Sequence, residues 1–280
     1  MIEIQGHRGV LATRHGNTLA SFVEALRLGV DAIEVDVWLT SDMQLVLRHD
    51  AVIGTADIRL ESMLQAVVEK HPATNTDVDP ETRAPSLSET LALLRFANAA
   101  DVVLDIEVKT DGAAWDQYAH GIVTELSRLL KAHQGEQALR VRSFDPQIIR
   151  ALSGMLPGVP LVALSRESPV RSVGLYPSAV EEFVMAALAT GASAIAPAFE
   201  ILDAGLVAEA HGACLKVFPW TLATSDEISA AVQLGVDGIC VNDVALARQV
   251  LGELGEPLAP SRVIALPLLH TVSPLDTWFS

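Results

Sequence analysis

Residues 29–50, GVDAIEVDVWLTSDMQLVLRHD, decide how the chain is read. Ala32 to Leu39 is an apolar run broken only by Glu34 and Asp36, and it reads as a β-strand. Leu45 to Arg48 reads as another strand, separated from the first only by the short polar turn Thr40 to Gln44. A parallel crossover needs about a dozen residues or more, so this pair is predicted to be an antiparallel hairpin. Its second arm is an excursion from the sheet. On the first arm, alternate residues share a face. Glu34 and Asp36 therefore project together, opposite Ile33, Val35 and Val37.

Outward from this stretch, strands and helices alternate. Upstream, Ile2 to Gln5 reads as a strand. Thr18 to Leu28 reads as a helix, with Asn17 or Thr18 as its cap and Gly29 as its stop. Downstream, residues 50 to about 85 lack periodicity and contain Pro72, Pro80 and Pro85. They are expected to form an irregular insertion over the site. Ser86 and Glu89 make a capping box for a helix running to about Phe96.

The further strands expected are Asp101 to Lys109, Leu139 to Phe144, Leu161 to Leu164, Ser193 to Pro197, Leu215 to Trp220 and Asp237 to Val241. Helices follow over Asp116 to Lys131, from Asp145-Pro146, and over Ala179 to Thr190, Asp203 to His211, Ser225 to Leu234 and Asp243 to Leu251. Without the excursion, this makes about eight strand–helix units in about 250 residues, the pattern of a TIM (β/α)8 barrel with a small insertion after the second strand. LGVDAIEVD at 28–36 and LGVDGICVND at 234–243 repeat the same helix end, glycine and strand. A doubly wound open sheet is the runner-up, but no GxGxxG opens the first helix. The barrel domain is expected over 1–251. The extension 252–280, with Pro257, Pro260, Pro267 and Pro274, is compatible with packing beneath the barrel, reaching a partner or staying loose.

Composition narrows the function. The 280 residues include 35 acidic and 19 basic ones, a formal net charge of -16. That balance argues against a large nucleic-acid footprint and against electrostatic docking on anionic lipid. A small anionic substrate remains compatible, because a few local cations can hold one phosphate. Cys214 and Cys240 cannot make a disulfide framework and are expected to be buried thiols. The N-terminus shows neither a basic region nor an apolar stretch of signal-peptide length. The longest uncharged stretch, Phe183 to Phe199, is interrupted by Gly191 and Pro197 and falls short of a membrane span. A cytoplasmic location is expected, and the oligomeric state is left open.

In such a barrel the chemistry belongs at the C-terminal ends of the strands. These positions hold His7 and Arg8, then Glu34 and Asp36, His49 and Asp50, Asp105, Glu107 and Lys109, Trp220, and finally Asn242 and Asp243. Glu34, Asp36 and Glu107 converging at the mouth would suit a hard divalent cation, Mg²⁺ or Ca²⁺. The same spacing also allows an internal ion-pair network with Arg8, Arg48 and Lys109, and spacing alone does not choose between them. His7 and His49, each beside a charged residue, suit a base and an acid at neutral pH.

These stretches resemble the glycerophosphodiester phosphodiesterase family. The matching segments are GHRG at 6–9, NTLASFVEAL at 17–26, GVDAIEVDVWLTSD at 29–42 and LVLRHD at 45–50. APSLSETLALL at 84–94, LDIEVK at 104–109, VRSFDP at 141–146, PWT at 219–221 and LGVDGICVND at 234–243 follow in order. The resemblance implies a TIM barrel and a site residue by residue. Glu34, Asp36 and Glu107 match metal-binding carboxylates, for Mg²⁺ or Ca²⁺ with Mn²⁺ as the alternative. His7 and His49 match paired acid–base histidines, Arg8 and Lys109 the phosphate-holding cations, and Trp220 an aromatic lining residue.

The implied reaction is hydrolysis of a small glycerophosphodiester to an alcohol and glycerol-3-phosphate, through a cyclic phosphate. The chain departs from the family pattern where Pro-Glu-Asn-Thr is usual. Here Arg14, His15, Gly16, Asn17 and Thr18 stand instead. Two rival readings share the scaffold. A barrel that binds phosphodiesters without turnover is one. A lysophospholipase D is the other, with Leu266, Leu268, Leu269, Trp278 and Phe279 of the tail as its acyl groove. A Schiff-base barrel enzyme using Lys109 is a third, unrelated reading.

Overall fold

The computed structural model describes residues 1–40, 43–50, 84–110, 117–166 and 176–264. Parallel strands β1 (Glu3–Gly6), β2 (Ala32–Leu39), β4 (Val103–Val108), β5 (Leu139–Ser143), β6 (Leu161–Ser165), β7 (Ala194–Pro197), β8 (Lys216–Val217) and β9 (Gly238–Val241) follow one another around a barrel. Their order is β8-β7-β6-β5-β4-β2-β1-β9. The two ends of that order meet. Asp237 N–H donates to the Val217 carbonyl at 3.0 Å, and Cys240 N–H to the Pro219 carbonyl at 3.0 Å, so β9 and β8 close the ring. The expected TIM barrel is the fold observed.

The hairpin is also observed. β3 (Leu45–Leu47) pairs antiparallel with β2 through Val37↔Leu47, Trp38↔Val46 and Leu39↔Leu45. β4 occupies one edge of β2 as far as Val37↔Val108, whereas β1 pairs only with Ala32 and Ile33 on the other. β3 therefore takes the edge that β1 leaves, and it brings His49 to the same end of the barrel as His7.

Helices α1 (Leu19–Leu28), α2 (Leu87–Phe96), α3 (Gln117–His133), α4 (Pro146–Met155), α5 (Tyr176–Ala189), α6 (Ala204–Gly212), α7 (Ser225–Gln233) and α8 (Val244–Glu253) alternate with the strands. Their ends have local causes. Thr18 caps α1 by accepting from Ser21 N–H, and Gly29 stops it at φ 90°, where a side chain would be strained. Ser86 and Glu89 form the expected capping box of α2. Asp145 caps α4, with Pro146 at its first position. The main core, including Ile33, Val35, Leu104, Ile106, Val141 and Ile239, lies between the barrel wall and the helices. A separate apolar cluster of Val162, Leu164, Ala194, Ala196 and Phe218 fills one side of the lumen.

Two expectations are corrected. The strand expected over Leu215 to Trp220 shrinks to Lys216–Val217, because Pro219 has no N–H for a ladder. Only single bridges, Ala198↔Trp220 and Leu222↔Val241, continue it. Cys214 is exposed in a turn at φ 59°, while Cys240 is buried as expected.

The start of the C-terminal extension packs under the barrel. Arg262 N–H bonds the Leu26 carbonyl at 3.1 Å, Arg27 bonds the Ile264 carbonyl at 2.9 Å, and Arg262 pairs with Asp101 at 2.5 Å. The tail residues Leu266 to Phe279, and the insertion from 51 to 83, lie outside the described residues. Among the described residues, no helix is long and apolar enough to cross a membrane.

Candidate active site at the barrel mouth

The turn after β1 explains the sequence GHRG. A Cβ on Gly6 would stand 2.2 Å from the Gly9 carbonyl oxygen, and one on Gly9, at φ 91°, would stand 2.3 Å from Ser21 Oγ. Both positions thus require glycine. The turn holds Arg8 in the left-handed region, φ 52°, and aims its backbone N–H at Glu34 Oε2, 3.0 Å away. Ser21 locks the turn by donating to the Arg8 carbonyl at 2.9 Å and accepting from Val10 N–H at 2.8 Å.

Six of the candidate residues come together here. Glu34, Asp36 and Glu107 are buried, and one ligand oxygen from each lies within 4.8 Å of the others. Arg8 Nε is 2.9 Å from Asp36 Oδ2. Lys109 Nζ is 2.8 Å from Asp36 Oδ1 and 2.5 Å from Glu107 Oε1. His7 Nε2 is 4.0 Å from Glu34 Oε2.

His49 comes to the same end of the barrel but does not join them. Its Nδ1 bonds Asp50 Oδ1 at 2.6 Å, and its side chain is 39 % exposed. Trp220 lies on the β8 side, with its indole Nε1 donating to the Ala196 carbonyl at 2.8 Å. Arg48 reaches the cluster through its backbone, donating its N–H to the Asp36 carbonyl at 2.9 Å.

Residues given no chemical role in the sequence analysis complete the arrangement. Asn17, at φ 58°, clamps Asp36 at two points: its Nδ2 donates to Asp36 Oδ2 at 2.8 Å, and its Oδ1 accepts from Asp36 N–H at 3.1 Å. Asn242 Oδ1 sits 2.6 Å from His7 Nδ1. An amide oxygen only accepts, so His7 carries its proton on Nδ1 and keeps Nε2 bare toward the carboxylates. Beneath the cluster, Asp105 is gripped by Arg140 and Arg142, while Arg142 also reaches Gln5 Oε1 at 2.6 Å and Arg140 reaches Glu3 Oε1 at 2.6 Å. On β5 the alternation of Arg140 and Arg142 was the available signal, since two arginines on one face of a barrel strand require acids opposite them.

Electrostatics follow from this packing. Burial, then repulsion by Asp36 and Glu107, pushes the Glu34 carboxyl well above its usual range. Burial pushes Asp36 up as well, but Lys109 and Arg8 outweigh it and hold Asp36 below its usual value. Glu107 is raised, mainly by burial. Burial and the neighbouring Arg8 lower His7 to about 4, so its imidazole is neutral at neutral pH.

The donor chemistry suits a divalent cation. Three buried carboxylates crowd one another, and among the described residues no cationic side chain is in hydrogen-bond contact with Glu34. Oxygen donors of this kind match a hard divalent cation.

A closed parallel barrel with carboxylates, cations and a neutral histidine at its C-terminal mouth defines a (β/α)8 enzyme with a site for an anionic substrate. Residues 7–246 match the glycerophosphoryl diester phosphodiesterase family, and the chain belongs to that family of hydrolytic enzymes. A glycerophosphodiester phosphodiesterase of Caldanaerobacter subterraneus is 27% identical over 242 residues, covering 85% of this chain and 92% of that protein. The fold is shared with a protein of Silicibacter pomeroyi, with TM-score 0.75 and 23% identity over 92% of this chain and 96% of that one. It is shared too with an Oleispira antarctica phosphodiesterase solved in complex with the product sn-glycerol-3-phosphate. There the TM-score is 0.67 and the identity 16%, over 89% of this chain and 96% of that one.

Proposed function

We propose that this chain hydrolyses small glycerophosphodiesters to an alcohol and glycerol-3-phosphate, with a divalent cation held by Glu34, Asp36 and Glu107. The observation that carries this reading is the convergence of those carboxylates with His7, Arg8 and Lys109 at one end of the lumen. When bound, a Mg²⁺ or Ca²⁺ ion (or Mn²⁺) would supply Lewis-acid neutralisation of the phosphoryl oxygens.

The chain's own residues do the rest. Among the described residues the Arg8 side chain meets Asp36 through Nε, so its terminal nitrogens can hold a phosphoryl oxygen, and Lys109 adds a second positive charge. The neutral His7 accepts, at Nε2, the proton of the glycerol hydroxyl next to the ester. That oxygen attacks phosphorus, the bond to the alcohol oxygen breaks, and a cyclic phosphate forms. His49, whose Nδ1 is engaged by Asp50, gives the leaving alcohol its proton from Nε2. Water then opens the ring as the two histidines exchange roles. Asn242 and Asn17 act as positioning residues, one for the His7 tautomer and one for the Asp36 carboxylate.

The reading takes 1–251 as the catalytic barrel and a cytoplasmic setting, the latter supported by a cysteine content without a disulfide framework. The test is release of glycerol-3-phosphate from glycerophosphocholine and glycerophosphoinositol, first in EDTA and then with Mg²⁺, Ca²⁺ or Mn²⁺ restored. Turnover restored by metal is expected, and His7→Ala or His49→Ala is expected to lower kcat by about a hundredfold or more. Folded protein with no turnover under any metal would refute the reading. Near-normal turnover in either variant would remove that histidine from it.

A further inference from the structure

Across the mouth from His7, three side chains stand just beyond the strand ends. Phe144 follows β5, Arg166 follows β6, and Trp220 lies in the segment continuing β8. The Phe144 and Trp220 rings meet edge to face, with centroids 5.5 Å apart and planes at 78°. The Arg166 guanidinium lies 5.3 Å from the Phe144 centroid and 5.5 Å from that of Trp220. No carboxylate among the described residues is paired with Arg166, so these rings are its visible partners. The trio is tied to the site through neighbouring strands: β5 lies beside β4, with Glu107 level with Arg142, and Ser143 Oγ donates to the Val108 carbonyl at 3.0 Å.

A phosphodiester has two arms. If its phosphate sits between Arg8 and Lys109 with the glycerol hydroxyl toward His7, the alcohol arm extends toward this opposite wall. Two features of the wall bear on which alcohol it takes. An ammonium group is recognised by open aromatic faces, whereas here a resident cation already lies against both rings. A second cation would meet a like charge. A guanidinium offers several N–H donors, which suit the oxygens of a polyol.

We propose that Arg166, held by Phe144 and Trp220, is a specificity-determining residue that favours an uncharged polyol alcohol and disfavours an ammonium alcohol. The proposal rests on the phosphodiesterase reading above and names the substrate class of that site.

The test compares kcat/KM for glycerophosphoinositol and glycerophosphocholine, with the same glycerol-3-phosphate released, in the native protein and in Arg166→Gln. A native preference for the inositol diester of about tenfold or more is expected, falling at least about fivefold in the variant, chiefly through KM. Phe144→Leu, which removes one supporting ring, should shift the ratio the same way by less. A native ratio near one, or a ratio unchanged in Arg166→Gln, would overturn the proposal. So would an equal fall for both substrates, which would assign Arg166 to the shared phosphate. If neither diester is hydrolysed, the activity reading fails by itself. Calorimetric binding of the two diesters then decides selectivity: tighter binding of the inositol diester, lost in Arg166→Gln, supports it, while equal binding or none overturns it.

Discussion

The lumen of this barrel has two unlike halves. β1, β2, β4 and β5 line it with Glu3, Gln5, Glu34, Asp36, Asp105, Glu107, Arg140 and Arg142, whereas β6, β7 and the segment continuing β8 line it with Val162, Leu164, Ala194, Ala196 and Phe218. The halves touch where the Arg140 guanidinium lies 4.4 Å from the Phe218 ring centroid. They touch again at Gly238, where a Cβ would come within 2.7 Å of Glu3 Cβ and 3.0 Å of the Phe218 ring. Charges taken out of water are stabilising only when paired and hydrogen-bonded, so the polar half can hold three carboxylates at its mouth only above a fully connected floor. The apolar half has no such requirement. Its small residues shape the wall and leave recognition to the side chains above it.

The largest expected effect comes from breaking the polar floor. Asp105→Ala would leave Arg140 and Arg142 buried without their shared partner. A loss of about 3–5 kcal/mol is expected in urea unfolding. A loss below about 1 kcal/mol would mean that water or rearrangement serves the guanidinium groups, and the contrast between the halves would weaken.

Titration probes the polar half next, since that half holds the clustered carboxylates, the buried arginines and His7. His7 has a folded value of about 4 against an ordinary 6.5, so the folded state binds fewer protons than the unfolded state between those values. Its contribution is fully present above about pH 6.5 and is lost as pH falls toward 4, in total on the order of 3 kcal/mol. Burial raises Asp105, but Arg140 and Arg142 outweigh it and depress it, so its contribution is present above its ordinary 3.8 and is lost as pH falls further. Thermal melts in EDTA from pH 7 to 4.5 should show a falling Tm, with a flatter profile in His7→Ala. Parallel profiles for the two proteins would remove His7 as the source.

Much of this was legible in the sequence. The short turn before Leu45 required an antiparallel arm, and the i, i+2 spacing of Glu34 with Asp36, and of Glu107 with Lys109, placed each pair on one face. The comparisons bear out the barrel and the family, and the geometry brings six of the eight candidate site residues together. What stayed hidden depended on long-range partners. Asn17 looks like a helix cap until β2 lies beside it, because its amide reaches across nineteen positions to Asp36. Asn242 acquires its role only when β9 closes against β1 and puts its oxygen on His7. Arg166 follows an ordinary strand, and nothing local announces the two rings it covers. The expected β8 ran too far because it included Pro219, which has no N–H to offer a ladder.

A smaller effect sharpens the contrast from the other side. Val162→Thr places a hydroxyl of nearly equal volume among Leu164, Ala194, Ala196 and Phe218. No polar side chain belongs to that cluster, so a loss of about 1–3 kcal/mol is expected. Wild-type stability in urea would show that the hydroxyl finds a partner and that this half tolerates polarity.

The smallest effect concerns the rim, where the apolar half meets solvent. Trp220→Phe removes the indole N–H that bonds the Ala196 carbonyl at 2.8 Å, yet keeps an aromatic ring against Phe144. The hydrogen bond is neutral, and Trp220 is only half-buried, so water can take up the carbonyl. A loss of about 1 kcal/mol follows, well below that of Asp105→Ala, which removes three charged hydrogen bonds from the buried floor. The two losses are measured by the same unfolding experiment. If they proved equal, burial and charge would not be what sets the two halves apart, and the stiffness of the mouth would have to come from the strands themselves.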